Sequence, residues 1–200
     1  MAIDVSYPEA MDIEAEEEER TRVFPSELPM QFSYARPRYY VRRCYSEYYS
    51  LILEMLAEYD IVTVTRTPGI GKSIFYAYFY QRYKENEENE ENKENRRKTI
   101  IIAASFRKDS GIKQAVVFQE DGTTQRWEGG DVNTIICTAH KAALVRKAEV
   151  MYLFDGPPIL PPIYPIRMVC FTSPNERWLE EVRKEEQACK LGVYFQLVIL

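Results

Sequence analysis

Residues 61–73 read Ile-Val-Thr-Val-Thr-Arg-Thr-Pro-Gly-Ile-Gly-Lys-Ser, and this stretch decides the predicted fold. Its first five residues are apolar or β-branched, which is typical of a buried strand. The stretch ends in P-G-x-G-K-S, the last part of the Walker A pattern G-x-x-x-x-G-K-[ST]. A strand, a glycine-rich turn and a helix that begins at a lysine form the context in which such a loop cradles phosphate. The stretch therefore predicts a P-loop core.

Each part of the predicted loop has a physical task. Glycines allow the backbone N–H groups to face phosphate oxygens. Lys72 is expected to reach the β- and γ-phosphates, and Ser73 to hold Mg²⁺. The predicted nucleotide-binding residues are Thr67, Pro68, Gly69, Ile70, Gly71, Lys72 and Ser73. They predict a site for ATP or GTP with Mg²⁺, and the sequence leaves the choice of base open.

Arg66 stands where the Walker A pattern has its first glycine. Two outcomes are open. The guanidinium swings outward or onto phosphate and leaves binding intact, or it blocks the turn and leaves an inactive relic of a nucleotide site.

A second motif predicts the other half of the metal site. Residues 150–155 form an apolar run that ends in Asp155, as a Walker B strand does, and Asp155 is predicted to complete Mg²⁺ coordination beside Ser73. A strand followed by an ordinary Asp-Gly turn gives the same pattern. The next residue is Gly156, where many hydrolytic P-loop enzymes keep a glutamate that activates water. We therefore expect this chain to bind nucleotide better than it hydrolyses it.

Asn175 follows the next predicted strand in the run Thr-Ser-Pro-Asn at 172–175. A polar side chain at such a strand end can contact the γ-phosphate or the attacking water. A simple turn that starts the following helix explains the same residues. Asp155 and Asn175 are the predicted catalytic residues, with both interpretations of Asn175 open.

The remaining patterns predict an α/β fold. It has a mainly parallel sheet with helices on both sides and an inserted β-hairpin. The predicted elements are helices at 43–59, 72–83 and 178–190, strands at 61–65, 99–106, 150–154 and 167–171, and a hairpin around Asp121-Gly122. Residues 132–148 are ambiguous, part of them helical.

Composition divides the chain into a leader and one domain. Residues 1–28 are predicted to be a disordered acidic leader. Residues 29–200 are predicted to form the P-loop domain. Within it, the Glu/Asn-rich stretch 84–98 is a low-complexity charged insertion, either a solvated extension of a helix or a surface loop.

Several functional classes are disfavoured by composition. The formal net charge of −5 argues against a general nucleic-acid binder, although the Arg/Tyr-rich segment 30–42 could stack on nucleic acid or on adenine. Packing of its tyrosines on the core is the preferred interpretation. No signal segment and no apolar run of membrane-spanning length is visible. The four cysteines lack metal-ligand spacing, and His140 is the only histidine, so a histidine-based metal or hydrolase site is not expected.

Several segments together resemble the P-loop domain of Crinkler-type effectors, which is related to retrotransposon hot spot proteins. They are Val41-Arg42-Arg43-Cys44-Tyr45, the loop 67–73, Ala104-Ser105-Phe106, Leu153-Phe154-Asp155-Gly156-Pro157-Pro158, and the run 168–175 followed by Arg177-Trp178-Leu179. The resemblance covers roughly residues 38–190. It implies a modular effector that is secreted or translocated into a host cell, often its nucleus, with host proteins as partners. Neither a delivery segment nor a C-terminal effector domain is visible, so a truncated or degraded member of the family is one open interpretation.

Three functions follow as expectations. The first is Mg²⁺-nucleotide binding of the Crinkler type, with weak or partner-dependent hydrolysis. The second is a non-catalytic interaction protein with a degenerate nucleotide site, which Arg66 and Gly156 favour. The third is a nucleic-acid-binding module built on the Arg/Tyr segment. A chain without the effector role would be cytoplasmic.

Overall fold

The computed structural model describes residues 20–90, 99–107, 111–128, 132–158, 167–184 and 188–192. Within these ranges lie nine strands and four helices. In chain order they are β1 (Thr21–Val23), β2 (Arg38–Tyr40), α1 (Cys44–Glu58), β3 (Ile61–Thr65), α2 (Lys72–Glu90), β4 (Thr99–Phe106), β5 (Ile112–Phe118), β6 (Thr124–Glu128), α3 (Val132–Arg146), β7 (Glu149–Asp155), β8 (Met168–Thr172), α4 (Glu176–Arg183) and β9 (Ala188–Gly192).

Seven strands form one sheet in the order β6-β5-β4-β7-β8-β3-β9. The five strands from β4 to β9 in this order run parallel, whereas β5 and β6 are an antiparallel hairpin on its edge. The carboxyl ends of the parallel strands therefore meet at one edge, which is where open α/β sheets bind ligands. The predicted α/β class, with a mostly parallel sheet flanked by helices, is confirmed.

Helices cover both faces of this sheet because its central strands are apolar on both sides. One face packs on α1 and α2, whose buried aromatic residues include Tyr45, Phe75 and Phe79. The other face packs on α3 and α4, from which Ile136 and Trp178 enter the core. The helical spacing of six residues in the sequence predicts one buried face for α1: Tyr45, Tyr48, Tyr49, Ile52, Leu53 and Leu56. Four of them are buried, and Tyr48 and Leu53 are partly buried against the core. None of the helices in the described ranges is long and apolar enough to cross a membrane.

The last predicted helix is wrong in its second half. The helix α4 ends at Arg183, and Ala188–Gly192 instead form β9, which runs parallel to β3. The reason is tertiary: without β9, the backbone groups on one side of β3 would have no strand to pair with.

Two predicted boundaries also change. Residues 20–28 are not a disordered leader, because β1 pairs with β2 and Leu28 is buried. The helix α2 continues through Glu90, and two of its late residues contact the core: Glu85 pairs with Arg22 at 2.7 Å, and Asn86 donates to the Tyr49 hydroxyl at 3.0 Å. The first part of the predicted insertion is thus a helix extension. Residues 1–19 and 91–98 lie outside the described residues.

Candidate functional site

The predicted phosphate loop joins the end of β3 to the first residue of α2. Gly69 and Gly71 have φ angles of +83° and +91°, a backbone region that side chains strongly disfavour. The Gly71 carbonyl accepts the Phe75 amide at 3.0 Å, so the helix begins directly at the loop. The N–H groups of its first turn have no partner inside the helix and can face an anion.

Lys72 lies against the loop that precedes it. Its Nζ donates to the carbonyls of Arg66 and Thr67, both at 2.9 Å, and only 7% of the residue is exposed. Burial lowers the Lys72 pKa, an effect that the nearby Asp155 charge opposes. An ammonium has three N–H donors, and these bonds account for two of them. Lys72 therefore closes the loop in this conformation.

Ser73 and Asp155 meet at the carboxyl edge of the sheet, although β8 lies between β3 and β7. The Ser73 hydroxyl donates to Asp155 Oδ1 at 2.8 Å, and the Gln31 backbone N–H donates to Oδ2 at 2.8 Å. Burial raises the pKa of Asp155 to about 6, while these two bonds and the charges of Lys113 and Lys72 act in the opposite direction. A carboxylate and a hydroxyl joined in this way can share an oxygen-liganded cation.

Three residues that the sequence patterns did not assign to the site lie around the Ser73–Asp155 pair: Gln31, Tyr34 and Lys113. The Tyr34 hydroxyl lies near Ser73 and Asp155, and burial raises its pKa while the interaction with Ser73 lowers it. Lys113, on β5, donates to the carbonyls of Met30 and Gln31 at 3.1 and 3.0 Å. No local sequence pattern marks Gln31 or Lys113, because the fold brings both to Asp155 from distant parts of the chain.

Arg42 lies on the other side of the loop. Its Nη1 donates to the Ile70 carbonyl at 3.2 Å, and its Nη2 lies 3.6 Å from where a Cβ on Gly71 would stand. The sequence signal that could have pointed to Arg42 is its place in the Arg/Tyr-rich segment 30–42. The same segment buries Tyr39 and exposes Tyr40, so its tyrosines pack on the core only in part.

Asn175 is the N-cap of α4. Its Oδ1 accepts the Trp178 amide at 3.0 Å, which is the contact that the turn interpretation predicts. A contact of Asn175 with phosphate or water stays a prediction. Two other hydroxyls at the ends of parallel strands, Thr65 Oγ1 and Ser105 Oγ, are buried and have no hydrogen-bond partner within the described part of the chain. Ser105 is in register with Asp155 on the neighbouring strand.

Gly156 occupies the position where a glutamate would activate water. Its φ angle is +99°, and a Cβ there would stand 3.2 Å from Phe106 Cβ and 3.4 Å from Gln31 Nε2. Any side chain at this position is therefore both strained and crowded. A glutamate at this position would have to adopt the strained positive φ and displace Phe106 by a few tenths of an ångström.

The other metal-ligating side chains of the described residues do not gather into a cluster. His140 lies on α3, on the opposite face of the sheet, and its Nδ1 is 2.6 Å from the Tyr152 hydroxyl. The cysteines are all free. Among the described residues no cluster of three or more His, Cys, Asp or Glu side chains could hold a metal ion. A Ser/Asp pair is compatible with Mg²⁺, which typically takes one or two carboxylates and completes its shell with waters and substrate phosphates.

No model of a known protein family matches the chain, and comparisons with curated proteins and with solved structures gave no match either. The function of the chain is therefore inferred from the geometry of this site.

Proposed function

We propose that the chain binds a Mg²⁺-nucleoside triphosphate, ATP or GTP, at the loop 67–73, and that it hydrolyses this ligand slowly or only with a partner. The observation that carries the proposal is the 2.8 Å hydrogen bond between Ser73 and Asp155. It joins the residue after the loop lysine to the acid at the end of another parallel strand, as a shared Mg²⁺ ligand pair requires.

Each recognition element would use groups that are already in place. The N–H groups of the loop and of the first turn of α2 would bind the phosphates. Lys72 would exchange the carbonyls of Arg66 and Thr67 for phosphate oxygens, which are better partners because they are charged. Ser73 and Asp155 would hold Mg²⁺, which would neutralise phosphate charge. The buried hydroxyls of Thr65 and Ser105, which have no hydrogen-bond partner among the described residues, lie at the same edge and suit a polar ligand.

Slow hydrolysis follows from what surrounds the predicted γ-phosphate position. Turnover needs a water held in line and charge supplied to the transferred group. Gly156 offers no carboxylate, and its positive φ and the close Phe106 side chain disfavour one. Arg42 is held on the loop carbonyl of Ile70, so it would need to rotate before it could contact phosphate. A partner protein could supply the missing groups.

The Crinkler resemblance extends this proposal to a biological role. It implies a secreted or translocated effector that binds host proteins within the host cell, including its nucleus. A second candidate function is a non-catalytic interaction protein. The observation that favours it is the lysine bonded to its own loop, since Lys72 is already satisfied by two carbonyls.

The test is calorimetric titration of the purified chain with ATP and GTP, with and without Mg²⁺. Lys72→Ala should abolish Mg²⁺-dependent binding, while Lys84→Ala is the matched control, because Lys84 lies on the same helix over the Tyr80 ring. Arg66→Gly should tighten binding by restoring the usual turn. Phosphate release at saturating Mg²⁺-ATP should stay below the ordinary enzyme range of about 1 s⁻¹. Equal affinity of wild type and Lys72→Ala would contradict the nucleotide site.

A further inference from the structure

The segment 26–31, which we call the arm, is held by hydrogen bonds from side chains of the sheet and of α2. Arg126 donates to the carbonyls of Ser26 and Glu27 at 3.4 and 3.1 Å, and the Tyr76 hydroxyl donates to the Pro29 carbonyl at 3.1 Å. Lys113 donates to the last two carbonyls, those of Met30 and Gln31. The donors come from β6, α2 and β5, so the position of the arm is set by the sheet and the P-loop helix together.

The arm ends on the proposed metal ligand. The Gln31 N–H donates to Asp155 Oδ2, whereas Oδ1 accepts from Ser73. The carboxylate is 1% exposed, so water does not compete for these positions. The arm thus occupies the oxygen that faces away from Ser73 and leaves the other oxygen directed at it.

We infer that Lys113 is a positioning residue of the nucleotide site: by holding the Met30 and Gln31 carbonyls it keeps the Gln31 amide on Asp155, and this orients the carboxylate toward Ser73. The inference rests on the proposed function. Carboxylates that ligate metals are themselves held by hydrogen bonds from outer-shell groups, and loss of such a group typically weakens metal binding. Lys113 lies at the register shift of β5 against β4, between the paired residues Ile112 and Gln114. A β-bulge of this kind re-aims a side chain, and here the side chain reaches the arm.

The geometry indicates that the arm supports Asp155 as a metal ligand and does not block the site. An arm that blocked the site would bond the oxygen that Ser73 shares. The Gln31 amide instead bonds the opposite oxygen, and Lys113 directs its ammonium to the arm carbonyls and not to the loop.

The first experiment compares ATP binding to the full chain with Mg²⁺ and with EDTA. Lys113→Met should weaken Mg²⁺-dependent binding by about 10- to 100-fold, the usual effect of losing an outer-shell group. Metal-free ATP binding should not change, since the loop and Lys72 are intact. Lys113→Arg should restore Mg²⁺-dependent binding because a guanidinium also offers several donors. Lys141→Met, at an exposed position on α3, is the control.

The second experiment needs no nucleotide. Amide hydrogen exchange of Gln31, measured by NMR on the free protein, should become faster in Lys113→Met and stay as in wild type in Lys113→Arg. Unchanged exchange in Lys113→Met would overturn the inference, and so would tighter Mg²⁺-ATP binding, which would make the arm an obstruction. Binding that is lost in Ser73→Ala but kept in Lys113→Met would leave the nucleotide site standing and remove Lys113 from it. A wild-type chain without Mg²⁺-dependent binding would overturn the site and this inference together.

Discussion

Replacing Asp155 by asparagine should stabilise the nucleotide-free protein at neutral pH, although it removes the proposed metal ligand. Burial raises the pKa of Asp155 from 3.8 to about 6. A carboxyl group with a higher pKa in the folded state binds its proton more tightly when folded, so its contribution to the free energy of unfolding falls as pH rises through this window. Above about pH 6 the buried carboxylate is ionised, and its charge lowers the free energy of unfolding by about 3 kcal/mol.

Asparagine keeps the shape and an acceptor oxygen but carries no charge to desolvate. We therefore expect Asp155→Asn to raise the free energy of unfolding by about 1 to 3 kcal/mol at about pH 7.5 without Mg²⁺. The corresponding rise in Tm is about 2–4 °C per kcal/mol for a chain of this size. The gain should shrink toward zero at about pH 4, where the wild-type carboxyl is protonated in the folded state.

The assay is urea unfolding followed by circular dichroism at both pH values, with Asp121→Asn as the matched control. Asp121 is exposed in the hairpin turn, and its pKa is lowered by hydrogen bonds from Thr123, so its neutralisation should give no gain. If Asp155→Asn is less stable than wild type at neutral pH, or its effect is the same at both pH values, the reasoning fails. If Asp155→Asn is more stable but no longer binds Mg²⁺-ATP, Asp155 lowers stability for the sake of binding, as functional residues often do.

Two further predictions concern the residues around the site. Gly156→Ala should lower the free energy of unfolding, measured by urea unfolding, by about 1–3 kcal/mol through strain and crowding. The control is Gly122→Ala, which has a similar φ but nothing within 4 Å of the added Cβ, and which should lose less stability. Equal losses in the two variants would exclude crowding as a cause. Asn175→Ala should lose about 1 kcal/mol because the α4 cap is removed, whereas Asn175→Ser keeps the cap and should keep stability. Weaker nucleotide binding in Asn175→Ser at unchanged stability would show that Asn175 does more than cap the helix.

The sequence predicted the parts of this protein that are encoded locally. A buried strand, two glycines and a lysine within 61–73 predicted the loop and the helix that follows it, and the structure has both. Apolar periodicity predicted the helix α1 with its buried face. The Ser73–Asp155 pairing was also predicted, because carboxyl ends of parallel strands share an edge once the sheet is assumed. Binding of a nucleotide there stays a prediction.

The tertiary structure alone decided which side chains support that pair. Gln31 lies 124 residues from Asp155 and 82 from Lys113, and no local pattern relates positions so far apart. The strand β9 and the ordering of residues 20–28 were missed for the same reason, since each is held by a partner elsewhere in the chain. Backbone conformation is set largely by neighbours in sequence, but the neighbours of a side chain at a sheet edge are set by strand order and register. Those are properties of the assembled sheet, and the local patterns on which the predictions rested do not contain them.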